Sequence, residues 1–383
     1  MLMAYIRHIP PSQACGRLAH VYREIRTDVP RVPNLMQVFS LRPETMESIY
    51  RTWLASMWNG RLPRQTKELM AVVVSKAANC DYCTDTHMVF LQAAGMDRAT
   101  AFEIESRLSE ASSLADRDRA AVALATRLTV APREVGAKQL RELAALWPDR
   151  EELVELISVI GAFNAITRIA NALGVAQEIP TAIRRFESGR RGAISLLSRL
   201  TALSLNLSER PMRARTPEEN HAALETLFYG QLGFDSLPPG FRLLETCPEF
   251  FEGQLRTMER AVAVLPRDRW MRVALVVARL TGCEYFGSNC AAWLEHRGIE
   301  PADVIAASEG AASGSPDAED ACIRFTRDVT LHSHTISEER VNELRNFGLS
   351  DGAILDLAYV AGVLNGMVRL VSALGPLEET LPA

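Results

Sequence analysis

The sequence predicts an all-α protein, a tandem repeat of two helical bundle domains, on three observations. Apolar residues recur at steps of three and four through most of the chain, no alternating stretch of strand length occurs, and the chain aligns with itself. At 383 residues it is also longer than one hydrophobic core usually serves.

Proline and glycine punctuate the expected helices. Pro43, Pro63, Pro248 and Pro266 sit where helices should begin, since proline fits the first helical turn. Glu68 to Ala78 is apolar nearly all round, which predicts a fully buried helix. Glu151 to Leu173 carries Leu153, Leu156, Ile157, Ile160 and Ile166 at helical spacing, and Gly174 closes it as a C-cap. A second such helix is expected from Asp351 to Leu374, ending at Gly375.

The repeat sets the domain organisation. Leu62-Pro63-Arg64 through Gly95 runs without a gap against Leu265-Pro266-Arg267 through Gly298, at an offset of 203. Within it Cys80 meets Cys283, Tyr82 meets Tyr285 and Leu91 meets Leu294. Further on the offset is 201, where Asn164, Arg168, Leu173 and Gly174 meet Asn365, Arg369, Leu374 and Gly375. The expected division is therefore a domain at 1–178, a linker at 179–215 and a second domain at 216–383. The linker carries Arg184, Arg185, Arg190, Arg191, Arg199, Arg210, Arg213 and Arg215, with Leu196, Leu197, Leu200, Leu203 and Leu207 at helical spacing. Its charged face is too thin for a membrane-surface helix, so a connector packed on the two domains is expected.

Composition narrows the function classes. The chain is 48% apolar and 23% charged with a net charge of −5, which provides no global positive field for nucleic acid. No window of about 18 residues is free of charge or turn signals, so no membrane span is expected. The start lacks a secretory signal, and seven cysteines, an odd number, fit a reducing compartment, so the expected location is cytoplasmic. There is no G-x-x-x-x-G-K-[ST], H-E-x-x-H or G-x-S-x-G motif, and no cofactor beyond the thiols themselves is implied.

The most informative segment is Asn79-Cys80-Asp81-Tyr82-Cys83-Thr84-Asp85-Thr86-His87. If a helix starts near Cys80, the two sulfurs share one face of its first turn, with Cα atoms about 5–5.5 Å apart, inside the window a disulfide needs. Unpaired N–H groups and the positive end of the helix dipole favour a thiolate there. His87, four residues past Cys83, can reach that sulfur directly or through one water. Glu68 lies on the preceding buried helix and needs a partner, for which His87 is the candidate. Two plainer readings remain open: Cys80 and Cys83 as buried packing residues, or a zinc site of Cys80, Cys83 and His87 that lacks a fourth ligand. Trp53 and Trp58 are candidate pocket residues or core, with Tyr82 beside the thiols. Asn164 and Arg168 should bond neighbouring helix ends. His332-Ser333-His334 reads as a solvated loop, and Cys15, Cys247 and Cys322 as packing.

The pattern of Glu68, Cys80-x-x-Cys83, His87 and the closing Gly95 resembles the alkylhydroperoxidase D-like family of the carboxymuconolactone decarboxylase superfamily. That resemblance implies that Cys83 attacks a peroxide oxygen, Cys80 resolves the sulfenic acid as a disulfide, and Glu68 and His87 relay protons. It also implies a homo-oligomer and a dithiol reductant protein, lipoyl-bearing or thioredoxin-like. Tyr82 stands where the best-known members carry a further histidine. Decarboxylase members lack the paired thiols, so the resemblance favours redox work. In the second copy Met271, Phe286 and Cys290 take the places of Glu68, Cys83 and His87, and only Cys80 persists, as Cys283. Cys283 and Cys290 would be about 10.5 Å apart along a helix, beyond disulfide reach. Two other functions fit the same residues: a biosynthetic acid–base or dehydrogenation step on a small organic substrate using Glu68 and His87, or a scaffold module without chemistry.

Overall fold

The computed structural model describes residues 4–29, 31–204, 215–311 and 317–380, and the regular elements among them are all helical. The first half begins with α1 (Gly16–Asp28), α2 (Asn34–Val38), α3 (Pro43–Trp58), α4 (Arg64–Ala77) and α5 (Asp81–Ala93). It continues with α6 (Arg98–Arg107), α7 (Asp116–Val130), α8 (Ala137–Leu146) and α9 (Arg150–Ala172). Two connecting helices follow, α10 (Thr181–Arg184) and α11 (Glu187–Ser204). The second half holds α12 (Pro217–Glu225), α13 (Phe241–Leu244), α14 (Pro248–Val264), α15 (Arg267–Thr281) and α16 (Glu284–His296). It ends with α17 (Pro301–Ser308), α18 (Ala318–His332), α19 (Glu338–Asn346) and α20 (Asp351–Thr380).

The helices recur in order: α3 to α9 return as α14 to α20. Equivalent side chains make equivalent bonds. Asn164 donates to Thr129 Oγ1 at 3.2 Å in the first half, and Asn365 donates to Thr330 Oγ1 at 3.0 Å in the second. Arg168 and Arg369 each bond the Asn four residues before them. As expected, both also cap helix ends: Arg168 donates to Thr129 O and Arg369 to Leu128 O, near the C-terminus of α7.

The two halves meet along α9 and α20, which cross closely because small residues line the contact. A Cβ on Gly366 would stand 2.6 Å from the Gly161 carbonyl oxygen and 3.0 Å from the Ala165 Cβ, so only glycine fits there. Helices α3 and α14 form the second seam, where the equivalent hydroxyls of Thr52 and Thr257 bond each other at 2.7 Å. Arg42 joins α20 by bonding Asp356 at 2.8–3.0 Å.

Several expectations change. Helix α20 does not stop at Gly375 but runs through Pro376 to Thr380. Tertiary contacts hold the extra turn: Leu377 is buried, and the Glu378 carboxylate accepts the Gly240 N–H at 2.6 Å. The expectation that no segment could span a membrane is also corrected. Arg150–Ala172 and Asp351–Glu379 are long and apolar enough, each with a mean hydropathy of 1.6, but their apolar windows are largely or wholly buried against the rest of the protein. Cys15 is exposed at the N-cap of α1 rather than packed, whereas Cys247 and Cys322 are buried. In the His332-Ser333-His334 segment both histidines are exposed, while Ser333 is buried and accepts from Asn171.

The linker packs as a connector on the first half. Arg184 and Arg190 both bond the buried Asp85 of α5 at 2.6 Å, and Arg190 also reaches Glu105 at 2.6 Å. Ile194 is buried, while Leu196, Leu200 and Leu203 are exposed. Leu207, Arg210 and Arg213 lie outside the described residues.

Candidate functional site

The site is built on the turn between α4 and α5. Helix α4 is buried from Lys67 to Ser75, so its one central carboxylate, Glu68, is held inside the core. After Asn79, at φ +51°, the chain turns sharply and α5 starts with Cys80 as its N-cap. The Cys80 sulfur accepts the Cys83 backbone N–H at 3.4 Å, which ties the two cysteines into one helical turn. His87 follows one turn later on the same face, and all three side chains are buried.

Glu68 is the charge centre of this cluster and is 0% exposed. Its Oε2 lies 2.7 Å from His87 Nδ1, the partner the sequence predicts. Its Oε1 takes both Arg64 Nε at 2.7 Å and Arg64 Nη2 at 2.6 Å. Burial alone would push this carboxyl up, but Arg64 and His87 outweigh it and hold it below its ordinary value. An ionised Glu68 accepts the Nδ1–H of His87, which leaves Nε2 as the ring's proton acceptor. The Phe163 ring packs edge-on against the imidazole at 4.6 Å and fixes its plane.

The expected thiolate at the start of α5 does not hold for Cys83. Burial, and then its interaction with Cys80, push the Cys83 thiol well above its ordinary value. Desolvation of the charged sulfur exceeds the help of one helix terminus, whose influence fades within a turn. The two cysteines are free thiols.

Cys83 and His87 do not bond each other directly; both face a cavity of about 120 Å³. Trp53, Phe90, Phe163 and Ile166 give it an apolar wall. The second half completes it, with Gln254 and Thr257 from α14 and Tyr359 and Val363 from α20. Cys80 sits behind Cys83, fully buried. Of the three candidate pocket residues, Tyr82 and Trp53 line the cavity. Trp58 instead lies behind Trp53, with the Arg64 guanidinium 3.9 Å over its ring. The Tyr82 hydroxyl is committed elsewhere: it donates to Glu178 at 3.0 Å and accepts the Leu35 N–H at 3.2 Å. It ties the chain after α9 to α2 and takes no part in a relay.

Sequence reasoning missed Arg64, Phe163 and the whole contribution of α14 and α20. Arg64 had a signal, four residues before Glu68 on one helix face, but it recurs in the second half as Arg267, where the glutamate is replaced by Met271. In the second half the equivalent space is filled. Phe286, at the place of Cys83, packs among Tyr285, Phe234 and Phe228 with ring centres 5.2–6.4 Å away. Met271 and Cys290 are buried beside it. Among the described residues no three His, Cys, Asp or Glu side chains converge as a metal site.

The family match falls on this part of the chain. Residues 43–127 match the carboxymuconolactone decarboxylase family, a span that contains Glu68, both thiols and His87. An alkyl hydroperoxide reductase of Mycobacterium tuberculosis is 31% identical over 96 residues, which is 24% of this chain and 28% of that relative's length. The crystal structure of the alkylhydroperoxidase AhpD core of an uncharacterized peroxidase-related protein from Ralstonia eutropha is 20% identical, with a TM-score of 0.43, covering 46% of this chain and 94% of that one. The span that holds this site is thus similar to the carboxymuconolactone decarboxylase family, and the chain spans less than a third of the length of the curated relative it matches.

Proposed function

We propose that the first half is a thiol-dependent hydroperoxide reductase. The observation that carries this reading is a Glu68–His87 pair whose free ring nitrogen shares a cavity with Cys83, while Cys80 stands one turn behind. In the first step His87 Nε2 takes the Cys83 proton, and the thiolate attacks the terminal oxygen of R–OOH. The O–O bond breaks, Cys83 becomes a sulfenic acid, and His87 returns the proton to the departing alkoxide as R–OH. In the second step the Cys80 thiol displaces the sulfenic hydroxyl as water and closes a Cys80–Cys83 disulfide. A dithiol donor, lipoyl-bearing or thioredoxin-like, then restores both thiols.

The raised Cys83 thiol fits this scheme, because it makes the adjacent base necessary. Glu68 supports the relay by stabilising the imidazolium that forms. We assign no dithiol chemistry to the second half, where Phe286 fills the attacking position; its role is to complete the cavity and the packing that identical chains would otherwise supply. The domain division at 1–178, 179–215 and 216–383 belongs to this proposal. Turnover of cumene hydroperoxide with a dithiol reductant tests it: Cys83→Ser should abolish activity, and Cys80→Ser should stop after one turnover. The same protonated thiol favours one other reading, acid–base chemistry by Glu68 and His87 on a carbon skeleton. Activity on such a substrate that survives Cys83→Ser would establish that reading instead.

A further inference from the structure

Among the described residues on the cavity wall, a side-chain amide remote from His87 also goes unanswered. Gln254 of α14 is 7% exposed and lines the cavity, yet its Nε2 amide has no hydrogen-bond partner. Its neighbours are satisfied among themselves: Thr257 bonds Thr52 and the Gly253 carbonyl, and Tyr359 donates to the Thr257 carbonyl at 3.0 Å. A buried N–H left without an acceptor is destabilising, so such a group persists where something outside the chain supplies the acceptor.

The internal repeat sharpens the point. Pro43-Glu44 to Arg51-Thr52 of α3 runs against Pro248-Glu249 to Arg256-Thr257 of α14, and Gln254 then stands where the first half has Ile49. Both residues line the same cavity. An apolar place on one helix thus carries an amide on its counterpart.

We infer that Gln254 is a specificity residue that donates its amide N–H to a neutral carbonyl oxygen on the substrate, at a point remote from the group that reacts at Cys83. The cavity wall has no arginine or lysine, so a carboxylate there would be a buried charge without a partner. A ketone, ester or amide oxygen answers the donor without that cost. The apolar body of the molecule lies against Trp53, Phe90 and Phe163. Resting on the reductase reading, the preferred substrates are carbonyl-bearing organic hydroperoxides rather than hydrogen peroxide.

The test uses binding, which is independent of turnover. Calorimetry compares cumyl alcohol with 4-acetylcumyl alcohol, the products of the matching hydroperoxides. Wild type should bind the acetyl compound about tenfold more tightly, the worth of one buried hydrogen bond. Gln254→Leu should erase that preference, leave cumyl alcohol unchanged, and melt no lower than wild type, since it removes an orphan donor. Equal affinities in wild type, or a preference that survives in Gln254→Leu, would overturn the inference. A Gln254-dependent preference with no hydroperoxide consumed by wild type would keep the recognition and overturn the reductase reading.

Discussion

At Cys83 two effects compete, and the structure decides between them. The start of α5 favours a thiolate, but burial and the neighbouring Cys80 raise the thiol well above its ordinary value. Cys83 is therefore held as the thiol at neutral pH. Its alkylation by iodoacetamide, followed by peptide mass spectrometry, should climb about tenfold per pH unit and still be climbing at pH 9. A plateau near pH 7 would mean a thiolate is already formed. Glu68 has the opposite shift: its folded value lies below the ordinary one, so its stabilising effect is complete above the usual carboxylate range and is lost as pH falls through the folded value. On the proposed reductase reading, Glu68→Gln should lower hydroperoxide turnover roughly a hundredfold and change the shape of its pH profile, because His87 loses the carboxylate that fixes its tautomer. A uniform loss at every pH would point to misfolding, in which Arg64 is left as a buried charge. Cys80, Cys83 and His87 were legible as neighbours because their spacing follows helix geometry, and Glu68 because a carboxylate in an apolar helix needs a partner. Arg64 was hidden because the second copy keeps an arginine, Arg267, at the same place, and the state of Cys83 depends on burial, which spacing does not encode.

Among the elements, α5 is held from both sides. Its inner face carries the thiols and His87, and its outer face carries Asp85, gripped by Arg184 and Arg190 of the connector. Asp85, Arg190 and Glu105 have side-chain exposures of only 4%, 11% and 6%. Removing one member of such a cluster leaves unpaired buried charge. Arg190→Met should cost about 3 kcal/mol in denaturant unfolding. A loss below about 1 kcal/mol would show the connector to be an ornament on α5. Helix positions were readable from periodicity, whereas the cap that starts α9 at Arg150, one residue before the expected start, was not read: Asp149 accepts the N–H groups of Glu151 and Glu152. The end of α20 was not readable. Gly375 and Pro376 are stop signals in isolation, and only the distant contacts of Leu377 and Glu378 override them.

Across the described residues the two halves are joined at the cavity, whose walls come from both. Helix α9 is buried mainly against α20, so residues 1–178 expressed alone should expose that face and self-associate on gel filtration. A monomeric fragment with full activity would contradict the role given to the second half. The repeat itself was visible in the sequence, since its two copies keep the same helix-packing residues. That both copies enclose a single cavity was not, because it depends on how α3 and α9 meet α14 and α20. The central claim, a reactive couple of Cys80 and Cys83, is tested most directly by peptide mass spectrometry after one equivalent of cumene hydroperoxide. A Cys80–Cys83 disulfide in wild type, and a dimedone-trapped sulfenic acid on Cys83 in Cys80→Ser, are the predicted results. Hydroperoxide consumed with both thiols still free would contradict it.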